Sequence, residues 1–287
     1  MFRVDTHTHI ISPDTAAYPP APLGGHRSDW SRERPTDIDG LLRAADAAEV
    51  DHLVIVQAST VYGFDNSYVA DQLARHPDRL SGVCSVDFLS PKAVDDLARW
   101  IDERGFSGVR IRAADGTTAV PTPGRGLDDD RMTPVWQFVS DRRVPVCVQM
   151  HAKHTPILAG LLEAYPGLTV VLDHAARPDL GDGVLPYPAL ARLRDSGRVF
   201  VKLTPPAVLR AQREAGSAAP LVRTLVEEFG ADHVMWGSNF PASEGSLGEL
   251  ADLVRAQLPA LGDTQQALVA GGTAARLYGV AVTTGGQ

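Results

Sequence analysis

The chain has 287 residues, of which 44% are hydrophobic and 22% are charged, and its formal net charge is −8. This length and composition leave ample material for a large globular core. The negative charge offers no basic surface for nucleic acid. No apolar run approaches the length of a membrane span, so we expect neither a nucleic-acid partner nor a membrane partner.

The two cysteines, Cys84 and Cys147, each lie within an apolar run. This placement predicts buried thiols rather than a disulfide, and it fits a reducing compartment. The first residues, MFRVDTHTHI, lack the charged region and the apolar region of a signal peptide. We therefore expect a cytoplasmic protein.

Short β-branched runs alternate with longer amphipathic stretches along the whole chain. Strands are predicted near 2–10, 52–57, 80–86, 107–112, 144–150, 168–174, 198–203 and 233–237. Helices are predicted near 37–49, 66–76, 91–104, 133–142, 155–165, 187–196, 219–229, 246–258 and 263–278. Strands that alternate with helices of this length are typical of βαβ units in a parallel sheet.

Eight such strands are the number needed for a closed barrel. The alternative is an open doubly wound sheet, which more often has a glycine-rich phosphate loop after its first strand. Here that position reads THTHIISP. We therefore predict an α/β fold, a single (β/α)8 TIM barrel, in one domain over residues 1–287. The irregular segments 12–35, 113–131 and 204–218 each follow a strand, which predicts loops on the C-terminal face, where active sites form.

Histidines collect at the ends of the predicted strands. Asp5, His7 and His9 alternate along the first strand, so a period of two places them on one face. His151 ends the fifth strand and His174 ends the sixth. A lone HxH motif often contains one buried and one surface histidine. Four histidines at three strand ends, however, predict one shared cavity, because strand ends converge at the mouth of a barrel.

Cationic side chains form a second set at the same predicted mouth, and they are Arg110, Arg112, Arg177 and Lys202. Guanidinium groups bind carboxylates through two parallel hydrogen bonds. Several cations at one mouth of an acidic protein therefore indicate an anionic small-molecule substrate. The alternative is that Arg112 and Arg177 pair with local acids such as Asp115 and Asp179, because structural ion pairs are common.

Four motifs in order carry a resemblance to a known family: DTHTHI on strand one, a histidine closing strand five, LDHAARPD at strand six and MWGSNFP at strand eight. Together they resemble the amidohydrolase superfamily. More narrowly, the chain is similar to the amidohydrolase-2 branch that contains 2-pyrone-4,6-dicarboxylate lactonase and sugar-lactone lactonases. The resemblance covers the whole chain, and it implies a hydrolase that opens the ring of a small anionic lactone.

The resemblance also implies roles for individual residues. His7, His9, His151 and His174 would polarise the substrate carbonyl or hold a divalent ion, usually zinc, which lowers the pKa of bound water. In the pyrone lactonase the same positions work without an obligatory metal, so metal-free catalysis is the alternative. The arginines, with Lys202, would bind the anionic group of the substrate.

The sequence departs from the family pattern at Asn239. The motif after strand eight usually reads GSD or GTD, and its aspartate is the general base; here it reads GSN. An amide cannot accept a proton from water near neutral pH, and it weakens a metal site that expects a carboxylate. Asn239 would then orient water or substrate, while a cluster histidine, Glu244 or Asp87 supplies the base.

Two other functions remain open from the sequence. One is a metal-dependent decarboxylase on the same barrel, and the other is a ligand-binding homologue that lost catalysis together with its carboxylate. Fold alone does not decide among these functions. The sequence also leaves the oligomeric state open, a homo-oligomer included.

Overall fold

The computed structural model describes residues 1–113, 126–151, 154–176 and 187–282. Within these residues, eight parallel strands form one sheet in the order of the sequence. They are β1 Val4–Thr8, β2 His52–Val56, β3 Leu80–Ser85, β4 Gly108–Arg112, β5 Pro145–Gln149, β6 Thr169–Leu172, β7 Val199–Leu203 and β8 Val234–Trp236. Each predicted strand is confirmed.

The first and last strands bring the two edges of the sheet together. Thr8 forms a parallel bridge with Phe240, just beyond β8, and the backbone N–H of His9 donates to the carbonyl of Phe240 at 2.9 Å. The backbone N–H of Ser238 donates to Asp5 Oδ1 at 2.9 Å. The sheet therefore curls into the predicted (β/α)8 barrel.

Helices surround the barrel. They are α1 Asp29–Glu33, α2 Ile38–Ala47, α3 Ser59–Tyr62, α4 Ser67–Arg75, α5 Ala93–Ala98, α6 Thr133–Asp141, α7 Thr155–Ala164, α8 Tyr187–Arg194, α9 Pro205–Ala215, α10 Ala219–Phe229, α11 Leu247–Arg255, α12 Asp263–Ala267 and α13 Thr273–Tyr278. A π-helical turn, Arg99–Glu103, continues α5, and a second one, Leu268–Gly272, joins α12 to α13. Among the helices of the described ranges, none is long and apolar enough to cross a membrane.

Helix α10 shows how the sequence builds the outer layer. Leu221, Val222, Leu225 and Val226 recur at helical spacing and are buried. Burying one such side chain contributes roughly 1.5–3 kcal/mol, so this apolar stripe fixes the face that packs inward. A proline lies at the start of the helix, where no backbone donor is needed, and Gly230 follows its end with a φ of 85°.

The predicted irregular segment 204–218 is wrong, because it contains helix α9. Pro205 and Pro206 occupy its first turn, where proline is tolerated since the first N–H groups have no partner within the helix. Gly216 ends it in the left-handed region with a φ of 72°. The segment 12–35 is largely irregular, as predicted, apart from the short α1. Of the segment 113–131, residues 114–125 lie outside the described residues.

The barrel interior has an apolar base and a polar middle. The base packs against α13 and includes Val54, Val83, Val171 and Met235. The polar middle contains Cys147, Asp173 and Lys202, each with 0% of its surface exposed. Both cysteines are buried free thiols, as predicted. Branched apolar side chains normally fill such a barrel, so a polar cluster at this level needs its own explanation.

Candidate active site

A cavity of about 220 Å³ lies at the C-terminal ends of the strands. Its large polar and aromatic lining residues are His9, Trp30, Gln57, Arg110, Arg112, Gln149, His174 and Asn239. These residues come from or directly follow several different strands, apart from Trp30, which α1 supplies. Pockets for drug-sized ligands measure roughly 300–1,000 Å³, so this cavity suits a smaller ligand of about one ring.

The structure brings most of the predicted site residues to this cavity, and those that line it are His9, Arg110, Arg112, His174 and Asn239. His7 and Lys202 are 0% exposed and lie outside its lining. His151 is buried just after β5, and its ring centroid lies 6.4 Å from that of His154. Arg177, together with the acids that were expected to pair with the arginines, lies outside the described residues.

Three histidine rings form a cluster at and beneath the cavity. The ring centroid of His7 lies 5.1 Å from that of His9 and 4.9 Å from that of His174. Gly237, just after β8, allows this packing, because a Cβ at that position would lie 2.8 Å from the Cβ of His7. Real Cβ atoms do not approach so closely, so a glycine is required where β8 meets β1.

An unusual backbone turn presents His174 to the cavity. His174, Ala175 and Ala176 have φ values of 54°, 52° and 57°, which places three successive residues in the left-handed region. Each such residue costs roughly 1–2 kcal/mol, and strain of this kind persists where the surrounding structure holds it, often at functional sites. The His174 ring is fixed by a contact of 2.9 Å between its Nδ1 and Oγ1 of Thr204.

The hydrogen bonds of His9 define its tautomer. Its Nδ1 lies 2.7 Å from the carbonyl oxygen of Val56, which can only accept, so Nδ1 carries the proton and Nε2 has the lone pair. The indole of Trp30 stacks on the imidazole at 5.3 Å between ring centroids. Burial, assisted by the charge of Arg110, lowers the pKa of His9 to about 4. His9 is therefore a neutral hydrogen-bond acceptor at physiological pH.

Asp173 is the centre of a buried ion cluster beneath the cavity. Its Oδ2 accepts a hydrogen bond from Arg110 Nε at 2.7 Å, while its Oδ1 lies 3.3 Å from Lys202 Nζ and 3.5 Å from His7 Nδ1. Burial alone would raise the pKa of Asp173, but Lys202 and Arg110 outweigh it and hold that pKa well below its usual value. Burial lowers the pKa of His7 well below its usual value, against the pull of Asp173. An ionised carboxylate thus lies between two cations and a neutral imidazole.

A second buried carboxylate, Asp5, ties β1 to the segment after β8. Its Oδ1 accepts from the backbone N–H groups of His7, at 3.1 Å, and Ser238, at 2.9 Å. Burial raises the pKa of Asp5 to about 6, although these hydrogen bonds oppose the change. Asp5 therefore positions the backbone of His7 instead of facing the cavity.

Sequence reasoning missed Asp173, Gln149 and Trp30 as site residues. A signal existed for the first two, because period-two alternation puts Asp173 on the same inward face as Val171, and Gln149 on that of Cys147. A carboxylate at the end of a buried run such as TVVL is informative in itself, since buried charges are paired. Trp30 left no such signal, because it lies in the short helix α1, within a segment whose path no periodicity predicts.

Within the described ranges, the donor groups do not fit a divalent cation. Among the residues that the structure describes, no three His, Cys, Asp or Glu side chains are placed to hold one ion. At the position of the family aspartate, Asn239 Nδ2 donates to Ser243 Oγ at 2.9 Å. The central carboxylate, Asp173, is already engaged by Arg110 and Lys202. A cation there would meet two fixed positive charges.

The chain is similar to one known protein family and to two named enzymes. A family model described as amidohydrolase matches residues 4–280. An L-fucono-1,5-lactonase of Burkholderia ambifaria is 27% identical over an alignment of 304 positions, which covers 100% of this chain and 98% of that protein. A 2-pyrone-4,6-dicarboxylate hydrolase of Comamonas testosteroni is 27% identical over 260 residues, which cover 83% of this chain and 76% of that protein.

A solved structure shares the fold. It is an amidohydrolase from Burkholderia multivorans with bound zinc, and it matches with a TM-score of 0.73 at 20% sequence identity. The match covers 98% of this chain and 100% of that one. At this level of identity the likeness shows the barrel architecture alone.

Proposed function

This chain belongs to the amidohydrolase family, and we propose that it is a hydrolase that opens the ring of a small lactone. The observation that carries this proposal is the cavity at the strand ends, where His9 and His174 share one compact space with Arg110 and Arg112. A lactonase and a pyrone dicarboxylate hydrolase among its relatives support the same reaction class.

In this reaction the oxygen of water bonds to the carbonyl carbon, the ring C–O bond breaks, and the ring oxygen takes a proton to leave a hydroxy acid. Negative charge develops on the carbonyl oxygen in the transition state, and fixed donors aimed at it are usually the largest source of acceleration. We assign this role to Arg110 and His174, which both line the cavity.

The attacking water needs an acceptor, and His9 offers one at Nε2 because its Nδ1 proton is held by Val56. With a pKa of about 4, the imidazole orients the water as a neutral group. The charge that develops on the carbonyl oxygen raises the proton affinity of His9, so proton transfer follows bond formation. Asn239 holds water or substrate by hydrogen bonding. Glu244 and Asp87, the carboxylates suggested by the sequence, are exposed and do not line the cavity.

Arg110 and Arg112 line the cavity as cations, which favours an anionic substrate. Each charge-assisted hydrogen bond to such a substrate would contribute roughly 1.5–3 kcal/mol. Arg177 keeps its predicted role on the same anion, and His151, just after β5, keeps its predicted place in the site. Lys202 acts below the cavity, where it keeps Asp173 ionised, and Asp173 in turn positions His7. We propose that the reaction runs without a divalent cation, since the donor groups of the described residues do not fit one.

A panel of five- and six-membered lactones tests the reaction, with enzyme purified in the presence of a chelator and acid release followed by a pH indicator. We expect one or more lactones to open, and His174→Asn to lower kcat by about 100-fold, as for the loss of one transition-state donor. His76→Asn, which changes a histidine at the end of α4, is the control and keeps wild-type activity. Release of CO₂ from a hydroxybenzoate without any lactone opening would instead establish the decarboxylase.

A further inference from the structure

Gln149, the last residue of β5, is the shared acceptor of two guanidinium groups. Its Oε1 accepts one hydrogen bond from Arg110 Nη2 and one from Arg112 Nε, both at 2.9 Å. Arg112 and Gln149 are also direct partners in the register of β4 and β5. Gln149 is 2% exposed and lines the cavity. One amide oxygen thus uses both of its lone pairs to hold two cations at one wall.

The bridge is neutral, whereas a carboxylate is the usual partner of arginine. An amide oxygen fixes the orientation of both guanidinium groups without cancelling their charge. Below it, Arg110 and Lys202 both contact the single carboxylate of Asp173, so these three side chains already carry one positive charge in excess. The wall of the cavity is therefore built to attract negative charge.

We propose that Gln149 determines the charge class of the substrate. It fixes Arg110 and Arg112 without adding negative charge to a wall that already carries a positive excess, so the cavity selects a lactone that bears a carboxylate over a neutral lactone of the same ring. The expected preference in kcat/KM rests on the proposed lactone hydrolysis, whereas the expected preference in binding does not. A glutamate of nearly the same shape would stay ionised beside two guanidinium groups and would compete with the substrate for them.

The decisive variant is therefore Gln149→Glu. Gln149→Met removes the acceptor without adding charge, and Gln137→Glu adds the same charge on the exposed face of α6. The substrates are a neutral sugar lactone and a sugar lactone of the same ring size with a free carboxylate. We expect the wild type to favour the carboxylated lactone. Gln149→Glu should lower its kcat/KM by about 10–100-fold, mainly through KM, because the lost contacts bind the ground state as well as the transition state.

The neutral lactone is the internal reference, and its kcat/KM should fall by at least about tenfold less than that of the carboxylated lactone, because it loses only the contribution of Arg110 to the transition state. Gln149→Met should weaken the carboxylated lactone more than the neutral one, and by less than Gln149→Glu does, whereas Gln137→Glu should match the wild type. An equal loss for both lactones in Gln149→Glu would overturn the proposal, because it would show a general disruption of the site.

Binding is measured separately with glutarate, a dicarboxylate that cannot be hydrolysed. Trp30 lines the cavity, whereas Trp100, Trp136 and Trp236 are buried, so quenching of tryptophan fluorescence reports occupancy. Binding of glutarate to the wild type but not to Gln149→Glu would support the proposed role of Gln149, even if no lactone opens. Failure of every lactone to open would reject only the proposed reaction. Equal binding to both proteins would overturn it.

Discussion

Replacing Asp173 by asparagine tests the ion cluster beneath the cavity, because the change keeps the shape of the side chain and removes its charge. Arg110 and Lys202, at 2.7 and 3.3 Å, would then remain buried without their counter-ion. Removing one partner of a buried pair costs about 3–5 kcal/mol. At about 2–4 °C per kcal/mol for a large domain, the Tm of Asp173→Asn should fall by roughly 6–20 °C at pH 7.

The same cluster predicts the pH dependence of this difference. The pKa of Asp173 lies well below its usual value in the folded chain, whereas an aspartate in the unfolded chain has a pKa of about 3.9. The unfolded state therefore binds more protons, and the stabilisation is fully present above about pH 4–5 and is lost as the pH falls through the folded pKa. The Tm difference between wild type and variant should thus be largest near neutral pH and shrink below about pH 4.

Thermal unfolding followed by circular dichroism measures both effects, and Lys202→Met completes a double-mutant cycle. In the double variant one cation leaves together with the carboxylate, so its cost should be smaller than the sum of the single costs by about 0.5–3 kcal/mol. A Tm change below about 2 °C for Asp173→Asn, or strictly additive effects, would refute the view that this carboxylate holds two buried cations.

Two further substitutions test the cavity wall and the packing of the histidines. Arg112→Met should cost about 1.5–3 kcal/mol in kcat/KM toward a carboxylated lactone, measured from initial rates of ring opening. Full activity of this variant would remove Arg112 from the site. Gly237→Ala would place a Cβ 2.8 Å from the Cβ of His7, so β1 must shift and lactone turnover should fall. Gly248→Ala on α11, where a Cβ meets nothing within 4 Å, is its control and should keep wild-type turnover.

The fold could be predicted from local patterns because each strand and helix has its own periodicity. Helix α9 shows the limit, since Pro205 and Pro206 suggest a loop unless their position in the first turn is known. The strand order followed from the prediction of a closed barrel, which rested on the count of eight strands and on the lack of a glycine-rich loop after the first strand. Periodicity was sufficient here because a barrel of this kind pairs each strand with its neighbours in sequence.

The site was predictable only in part, because period-two alternation gives the face of a residue and not its partner across the barrel. Lys202 was assigned to the mouth, yet it lies one residue before the end of β7 and contacts Asp173 in the interior. Arg110 and Asp173 are 63 positions apart in sequence, and nothing local indicates their contact. The role of Gln149 likewise appears only when β4 and β5 are placed side by side.

Asn239 is the position where sequence and family disagree, and the structure gives the disagreement a physical form. Its backbone is in the left-handed region, with a φ of 56°, and its side-chain amide donates to Ser243. Aspartate also tolerates this conformation, so Asn239→Asp should fold and should bring a carboxylate to the cavity beside His9 and His174. Carboxylate oxygen is a far better ligand for zinc than a neutral amide.

We therefore expect wild-type protein to hold zinc weakly or not at all, and Asn239→Asp to hold it more tightly. Activity toward a carboxylated lactone should fall in the variant, because the new negative charge repels the substrate. The measurement is metal content per chain after identical purification, with activity before and after chelation, and Ser243→Ala serves as the control that removes the hydrogen bond of Asn239 without adding a carboxylate. Stoichiometric zinc in the wild type, unchanged by Asn239→Asp, would show that the histidines alone define a metal site and that the amide at position 239 does not exclude one.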